Sequence, residues 1–117
     1  MNRSRSDVLA ILGLARRAGE ASGGTEAVRQ AVRDGRAKVV VMATDASPTQ
    51  LKKIRSTIHN RTIPQVFLGD RSTLGAAIGA APLAAIAVTD ASLAGRLLEG
   101  VGSEEATDAP DEPERRR

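Results

Sequence analysis

The sequence contains no cysteine, no tryptophan and no tyrosine, and it has a single phenylalanine and a single histidine. Without cysteine the chain can form neither a disulfide framework nor a thiolate metal site. Because Phe67 is the sole aromatic residue, the base-stacking platforms of RRM and single-strand-binding OB domains are excluded. His59 has no serine, cysteine or acidic residue placed to form an evident catalytic relay with it. We therefore predict a protein that is not an enzyme and that uses no catalytic residues, metal ion or cofactor.

The sequence also lacks a long apolar run, since none approaches the ~20 residues needed to cross a bilayer. The first residues, MNRSRSDVLAILGL, combine a positive start with a short apolar stretch. Asp7 precedes that stretch, however, and Arg16-Arg17 follow it without a small-residue cleavage site. This pattern favours a helix over a signal peptide. We expect a soluble, cytoplasmic protein that does not bind a membrane.

Charge is distributed unevenly along the chain. Residues 1–100 contain fourteen Lys and Arg against eight Asp and Glu, a balance of +6, whereas residues 101–117 contain six acidic residues and three arginines, a balance of −3. A basic body favours a polyanionic partner, although solvated surface charge on a small domain explains the same composition. The tail cannot bury enough apolar surface to offset the entropy of ordering it. We predict one folded domain over residues 1–100 and a disordered charged tail over 101–117.

Apolar residues alternate between helical spacing and short continuous runs. Helices are predicted to begin at Ser6 or Asp7, Thr25, Ser47-Pro48, Asp70 or Ser72, and Asp90. They are predicted to end at Gly19, Gly35, His59, Gly79 and Gly100. Strands are predicted at 38–43, 64–68 and 83–88, with a further extended piece near 20–22, and the strand at 38–43 is apolar enough to be covered on both faces. This alternation predicts an α/β fold, a three-layer α/β/α sandwich with a mixed sheet of about four strands.

The tetrapeptide Thr-Asp-Ala-Ser follows two of the predicted strands, at 44–47 and at 89–92. Two aspartates at neighbouring strand ends can hold a magnesium ion at the carboxyl edge of a sheet. Asp and Ser directly before a helical pattern are also favoured N-cap residues, because their side chains accept hydrogen bonds from unpaired backbone N–H groups. We predict that both segments cap helices.

Residues 21–26, ASGGTE, run directly into the second predicted helix. Two glycines and a threonine in this place can form an anion site or a plain turn, and Thr25 is predicted to cap the helix in either case. The segment fits neither a P-loop, which ends in Gly-Lys-Ser/Thr, nor a dinucleotide fingerprint with its spaced glycines. Arg29 and Arg33 follow at helical spacing, and Arg36 and Lys38 lie just past the helix. This arrangement favours the phosphates of a polymer over one buried phosphate group.

Two stretches of the sequence resemble a known family. LGLARRAGEASGGTEAVRQAVRDGRAKVVVMATDASP and IPQVFLGDRSTLGAAIGAAPLAAIAVTD are similar to the ribosomal-protein family that recognises kink-turn RNA (L-seven-Ae type), and most of all to its small bacterial YlxQ-type branch. The matching pieces, in order, are LGLARRAG, the Gly-Thr opening of helix two, Gly35-x-Ala37-Lys38, Asp45-Ala46-Ser47-Pro48, and Leu74-Gly75 followed by Gly79. The likeness covers about residues 8–98. It implies the same sandwich fold that the apolar pattern predicts.

The resemblance also implies where RNA would bind. In the family, RNA is held by the N-terminal end of helix two, and an apolar loop before the last strand packs on the kinked bases. The corresponding positions here are Gly24, Thr25, Glu26, Arg29 and Gln30 on the helix, and Ala80, Ala81, Pro82 and Leu83 in the loop. We add Arg33 and Lys38 to this candidate RNA-binding set for their charge. Glu26 stands where the best-known RNA binders have an asparagine that reads guanine edges, and Gln30 stands where they have a lysine.

Two functional hypotheses follow. The first is a monomeric, non-catalytic protein of the translation apparatus that binds structured RNA, ribosomal or other non-coding, alongside ribosomal or translation-factor proteins. The second is a protein-interaction module on the same fold that has lost RNA affinity, which Glu26 and Gln30 would permit. A small-molecule enzyme would need a pocket lined by perturbed ionisable groups, and the sequence offers no candidates.

Overall fold

A computed structural model describes residues 5–102, so the predicted disordered tail lies outside this range apart from its first two residues. The described chain forms five helices and four strands. In order they are α1 (Arg5–Arg17), β1 (Ala21–Gly23), α2 (Thr25–Arg33), β2 (Val39–Met42), α3 (Pro48–Ile58), β3 (Gln65–Phe67), α4 (Arg71–Ala77), β4 (Ala85–Val88) and α5 (Ala91–Gly102). The predicted helix end at Gly100 is wrong, because this glycine does not adopt the positive φ that ends a helix at Gly19 and Gly35. Instead α5 continues through Val101, whose side chain is buried.

The four strands form one mixed sheet in the order β1-β4-β2-β3. β4 pairs antiparallel with both β1 and β2, whereas β2 pairs parallel with β3. β2 and β4 are therefore central, and every residue of these two strands is buried. This position explains their continuous apolar runs, since both faces of the sheet are covered. The predicted mixed sheet is confirmed.

Hydrophobic cores lie on both faces of the sheet, because alternate residues of a strand point to opposite sides. The core beneath α1, α4 and α5 receives Val39, Val41, Ile86 and Val88. The core beneath α2 and α3 receives Val40, Met42, Ala85 and Ala87. No helix within residues 5–102 has the length and apolar character needed to cross a bilayer. The predicted three-layer arrangement is confirmed.

Side-chain caps begin α3, α4 and α5. Ser47 Oγ accepts a hydrogen bond from the Gln50 N–H at 3.1 Å, and the Gln50 side chain accepts one from the Ser47 N–H at 3.1 Å, which forms a capping box. Asp70 and Asp90 each accept the N–H of the residue three positions later at 2.9 Å. These interactions involve only neighbouring residues, so the sequence predicts the three helix starts correctly.

The two Thr-Asp-Ala-Ser segments lie at opposite ends of the sheet. One follows Met42 at the end of β2 and the other follows Val88 at the end of β4, and these strands are antiparallel. Asp45 and Asp90 therefore cannot hold one magnesium ion between them. Across the described range, no three His, Asp or Glu side chains are grouped so that they could bind a metal ion. Asp45 does not cap the helix that follows it, whose N-cap is Ser47. Its carboxylate instead accepts a hydrogen bond at 2.8 Å from the N–H of Arg71, the first residue of α4.

Gly75→Ala and Gly95→Ala should change stability in opposite directions. Both glycines are helical, but a Cβ at Gly75 would lie 2.2 Å from the Ala81 carbonyl oxygen, whereas one at Gly95 would meet nothing within 4 Å. Gly75→Ala should lower the free energy of unfolding by about 1–3 kcal/mol through overpacking. Gly95→Ala should raise it by about 1 kcal/mol through helix propensity. Urea denaturation measures both, and equal effects would contradict the close approach of Ala81 to α4.

Candidate nucleic-acid interface

Helix α2 begins at a glycine whose conformation other residues rarely adopt. Gly24 is the N-cap, with φ 102° and ψ 154°, and no side chain makes a capping hydrogen bond to the first turn. The prediction that Thr25 caps the helix is wrong, because Thr25 is the first residue inside it. The Gly24 N–H donates to the Ala85 carbonyl oxygen at 2.9 Å, so the sheet continues up to the helix and the cap position is occupied by glycine. The first N–H groups of α2, which have no partner within a helix, thus have no side-chain cap.

The loop at 80–83 lies directly beside this helix start. A Cβ at Gly23 would lie 2.8 Å from Leu83 Cδ1 and 2.9 Å from Ile78 Cδ1, so a side chain there would displace both. Leu83 Cδ2 also lies 3.8 Å from where a Cβ of Gly24 would be. Leu83 is half-buried by these contacts, while the exposed residues of the loop are Ala80, Ala81 and Pro82. The structure therefore brings the two predicted RNA-binding segments together.

Helix α4 holds the loop from its other side. The Leu83 N–H donates to the Arg71 carbonyl oxygen at 3.1 Å, and the Ala80 N–H donates to the Gly75 carbonyl oxygen at 2.8 Å. Arg71 is itself held by Asp45, whose carboxylate lies 3.4 Å from the Arg71 Nε. Both ends of the loop are thus attached to α4, so its position depends on that helix.

The cap of α4 is an ionised carboxylate. Hydrogen bonds from the backbone N–H of Thr73 and from its side chain hold the pKa of Asp70 below the ordinary value of 3.8, with a smaller contribution from Arg71. The ionised form of Asp70 is therefore the form that starts the helix to which the loop is attached.

Arg29 is already paired within the protein. Its Nη1 lies 2.9 Å from Glu26 Oε2, and its Nε donates to Thr57 Oγ1 on α3 at 2.9 Å. The Arg29 side chain is 25% exposed and that of Glu26 is 67% exposed, so the carboxylate is the more accessible charge. The first turns of α2 consequently present almost no net positive charge to a phosphate.

Gln30 and Arg33 form a hydrogen-bonded chain farther along α2. Arg33 Nη2 donates to Gln30 Oε1 at 3.2 Å, and Gln30 Nε2 donates to Asp34 Oδ1 at 2.8 Å. Arg33 lies about 12 Å along the helix from Thr25, at about 1.5 Å per residue. The structure places Gln30 one turn from the helix start and does not bring Arg33 to it.

Lys38 lies at the opposite end of the sheet from the start of α2. Its N–H donates to the Val88 carbonyl oxygen at 2.8 Å, whereas the Gly24 N–H donates to the carbonyl of Ala85 at the other end of the same strand. Lys38 is exposed there. An RNA that contacts both ends must therefore span the whole length of β4.

Arg16 approaches the loop although nothing in its local sequence indicates a site. A Cβ at Gly79, just before the loop, would lie 3.4 Å from Arg16 Nη1. This proximity arises because α1 packs against α4. Only that tertiary contact identifies Arg16 as a cation at the loop.

Comparisons with known proteins agree with this geometry. The sequence profile of the ribosomal protein L7Ae/L30e/S12e/Gadd45 family matches residues 6–97. The chain belongs to this family. The predicted L-seven-Ae-type membership is confirmed.

Relatives of the chain include RNA-binding and ribosomal proteins. It is 34% identical over 88 residues to the RNA-binding protein YlxQ of Bacillus subtilis, across 75% of this chain and 88% of that protein. It is 32% identical over 73 residues to the large ribosomal subunit protein eL8 of Picrophilus torridus, across 62% of this chain and 58% of that protein. The family is not enzymatic, which confirms the prediction that the protein is not an enzyme.

Solved structures share the fold. A Bacillus halodurans protein of unknown function superposes with a TM-score of 0.76 at 34% identity, covering 81% of this chain and 96% of that chain. The Giardia lamblia 15.5kD RNA binding protein superposes with a TM-score of 0.71 at 24% identity, covering 91% and 92% of the two chains. At this lower identity the likeness concerns the fold alone.

The cap of α4 should respond to acid. Because folding lowers the pKa of Asp70, the ionised cap stabilises the protein fully above the ordinary value of 3.8, and this stabilisation is lost as the pH falls through the folded pKa. We expect NMR titration of the Asp70 carboxyl carbon to give a midpoint below 3.8, with the α4 and loop amides shifting together with it. In Asp70→Asn, which keeps an acceptor oxygen, that transition should vanish. A carboxyl midpoint above the ordinary value would contradict the hydrogen-bonded cap.

Proposed function

We propose that this protein binds structured RNA through the start of α2 and the loop at 80–83, and that the RNA contains a kink-turn or a similar bend. The observation that carries the proposal is the packing of Leu83 against Gly23 and Gly24, which joins an uncapped helix start and an exposed apolar loop in one surface. Relatives named as an RNA-binding protein and as a ribosomal protein support it. In this proposal the protein is a cytoplasmic monomer of the translation apparatus, and its RNA is ribosomal or another non-coding RNA.

The two segments suit different parts of a bent RNA. The positive end of the helix dipole and the N–H groups of the first turn attract phosphate oxygens, and the Thr25 hydroxyl is a further donor beside them. Ala81 and Pro82 offer an apolar surface to bases that a bend has unstacked, whereas a regular duplex keeps its bases stacked inside. A straight duplex would therefore gain only the phosphate contacts. Preference for a bend arises from using both segments at once.

Glu26 cancels the positive charge of Arg29 at this surface. Its exposed carboxylate repels phosphates, and it can accept hydrogen bonds from the amino group of a guanine. Arg29, held at 2.9 Å, partly neutralises it from the side that faces α3. We propose that Glu26 accepts a hydrogen bond from a base edge and that Arg29 reduces the repulsion between the Glu26 carboxylate and the phosphates.

A kink-turn RNA should bind more tightly than a straight duplex of equal length. Because the loop contacts bases rather than phosphates, the difference between the two RNAs should persist when titrations are repeated at a higher salt concentration, while both affinities fall. Titrations of both RNAs at two salt concentrations test this. If the two RNAs bind equally at both concentrations, the protein does not recognise the bend.

Glu26→Ala should act oppositely on the two RNAs. It removes the acceptor for a base edge, at a cost of about 1–3 kcal/mol in kink-turn affinity, while relief of repulsion strengthens the duplex complex. The lost ion pair should lower the free energy of unfolding by no more than about 0.5 kcal/mol. Stronger binding of both RNAs would show that Glu26 only repels.

Arg29→Gln should weaken the binding of both RNAs, because the Glu26 carboxylate then repels phosphates without a paired cation beside it. The loss of one positive charge should lower the salt slope by roughly one. Arg96→Gln is the matched control, since Arg96 is exposed on α5, on the other side of the sheet. Lys38→Gln should weaken RNA binding less than Arg29→Gln and more than Arg96→Gln, because Lys38 lies at the opposite end of β4 from Gly24. An unchanged salt slope in Arg29→Gln would remove this residue from the interface.

The Glu26–Arg29 pair also favours the alternative function, a protein-interaction module, because a neutral and partly apolar surface suits a protein partner. Absence of binding to either RNA by the folded protein would favour it. A pull-down from nuclease-treated lysate would then recover specific partners with the natural sequence and lose them with Pro82→Glu.

A further inference from the structure

The outer face of α3 carries a groove that the proposed RNA site does not use, here called the α3 groove. It is lined by Pro48, Leu51, Lys52, Arg55, Ser56 and His59, and its volume is about 680 Å³. That volume is typical of a small-molecule site, but the groove is open along the helix and would leave a small ligand in solvent. A negatively charged chain lying lengthwise along the groove fits it better.

The α3 groove faces away from α2. At about 100° per residue, Lys52, Arg55 and His59 fall on one stripe of the helix. Thr57, which accepts the hydrogen bond from Arg29, lies on the opposite side. The stripe is turned towards β3, where the Arg55 guanidinium lies 5.5 Å from the centroid of the Phe67 ring. An RNA held at the start of α2 does not occupy this groove.

The cations around the groove have no acidic neighbours in the sequence. Between Asp45 and Asp70 there is no Asp or Glu, and the basic residues are Lys52, Lys53, Arg55 and Arg61. Asp45 is paired with Arg71, and Asp70 caps α4. Around α2, by contrast, Glu26 and Asp34 form ion pairs with nearby arginines. The α3 groove is therefore a positive surface, and any negative charge that balances it must come from outside residues 46–69.

The sheet has an open edge on this side. β3 is the outermost strand and, among the described strands, pairs with β2 alone. Its outer N–H and C=O groups are a template for an extended chain. A segment that follows this edge would find backbone partners on β3 and the cations of the α3 groove beside them.

We propose that residues 104–114 of this protein, the acidic segment, dock in the α3 groove. The segment contains no basic residue, and its acidic residues are Glu104, Glu105, Asp108, Asp111, Glu112 and Glu114. The acidic segment supplies the negative charge that the α3 groove lacks.

The acidic segment begins at the end of the sandwich where the groove begins. α5 starts just after Val88, and its twelve residues span about 18 Å, more than the about 13 Å of β4. Leu97 and Val101 both belong to the core on this sheet face. A helix of this length that starts after Val88 and returns along β4 reaches the level of Met42, which pairs with Ala85. α3 starts at that same level, because Ser47 follows Met42 after a short connection.

The segment is also long enough to reach the groove. α5 and α3 lie on opposite faces of the sheet, about 20 Å apart at about 10 Å per layer. The path around the edge adds about 10 Å, the two strand spacings from β4 to β3, which makes about 30 Å in all. Ten extended residues span about 33 Å. Residues 103–112 can therefore pass around the open edge of β3 and bring Asp111 and Glu112 to Lys52 and Arg55. This path leaves the start of α2 and the loop at 80–83 uncovered.

Paramagnetic broadening in NMR spectra tests this docking in the full chain. Because the sequence has no cysteine, Ala109→Cys introduces a unique site for a nitroxide label and keeps every charge. At low salt, the amide signals of Lys52, Arg55, Ser56 and His59 should lose more than half of their intensity relative to the reduced label. The intensity should return when salt is raised to about 1 M, where the Debye length falls to about 3 Å.

Two matched variants separate docking in the groove from general attraction. Lys52→Glu should abolish the broadening, because Lys52 lines the groove. Lys53→Glu makes the same charge change one residue later, on the side of α3 that faces α2. This variant should retain more than half of the broadening. Equal effects of the two variants would overturn the proposal. Broadening centred on residues 24–29, uniform broadening of all basic surfaces, no broadening, or broadening only between labelled and unlabelled copies would also overturn it.

Discussion

The hydrogen bonds along both edges of β4 hold the candidate interface in place. β4 pairs with β1 on one side and with β2 on the other, and all four of its residues are buried. At its start, the Ala85 carbonyl accepts the N–H of Gly24, so the strand that follows the apolar loop also sets where α2 begins. Moving either segment would break ladder bonds in a buried environment, where an unpaired N–H or C=O group costs about 1–3 kcal/mol. A helix start and a loop that are far apart in the sequence thus behave as one surface.

Close approach of backbone atoms gives this surface its shape. Gly23 leaves room for Leu83, and Gly75 leaves room for the Ala81 carbonyl, so the loop is pressed between the start of α2 and the side of α4. Loops are usually the mobile part of a domain. Here the backbone at both ends of the loop is bonded to α4 while Ala80, Ala81 and Pro82 remain exposed. A surface that is ordered before binding loses less entropy when a partner binds it.

The surface with the defined shape and the surface with unpaired positive charge lie on different parts of this protein. The shaped surface around Gly24 has its best-placed guanidinium, that of Arg29, paired with Glu26, whereas α3 carries cations without acidic neighbours. A polyanion attracted only by charge would therefore be drawn to α3, whereas the bent RNA of the proposed function would be drawn to the start of α2. In the proposed docking, the acidic segment after α5 occupies the α3 groove and leaves the surface around Gly24 accessible.

Local patterns in the sequence predict the elements, their burial and the caps, because periodicity and capping involve residues a few positions apart. Ser47 with Gln50, Asp70 and Asp90 are all of this kind. The Glu26–Arg29 pair also has the spacing of helical neighbours, so the sequence contains the signal for it. Gly24 replaces Thr25 as the cap because of its bond to Ala85, a residue far along the chain, and no local pattern reports such a bond.

The sequence by itself determined the sandwich fold, the strand at 38–43 that is covered on both faces, and the family. Only the tertiary structure decided which residues share a surface. Arg33 and Lys38 are close to Gly24 in the sequence but lie away from it in space, because α2 carries the chain from Gly24 towards the opposite end of the sheet. Leu83 is distant in the sequence but in contact with Gly24, because β4 runs antiparallel between β1 and β2. The direction of that strand is set by packing across the whole domain, so the local spacing of apolar residues does not predict it.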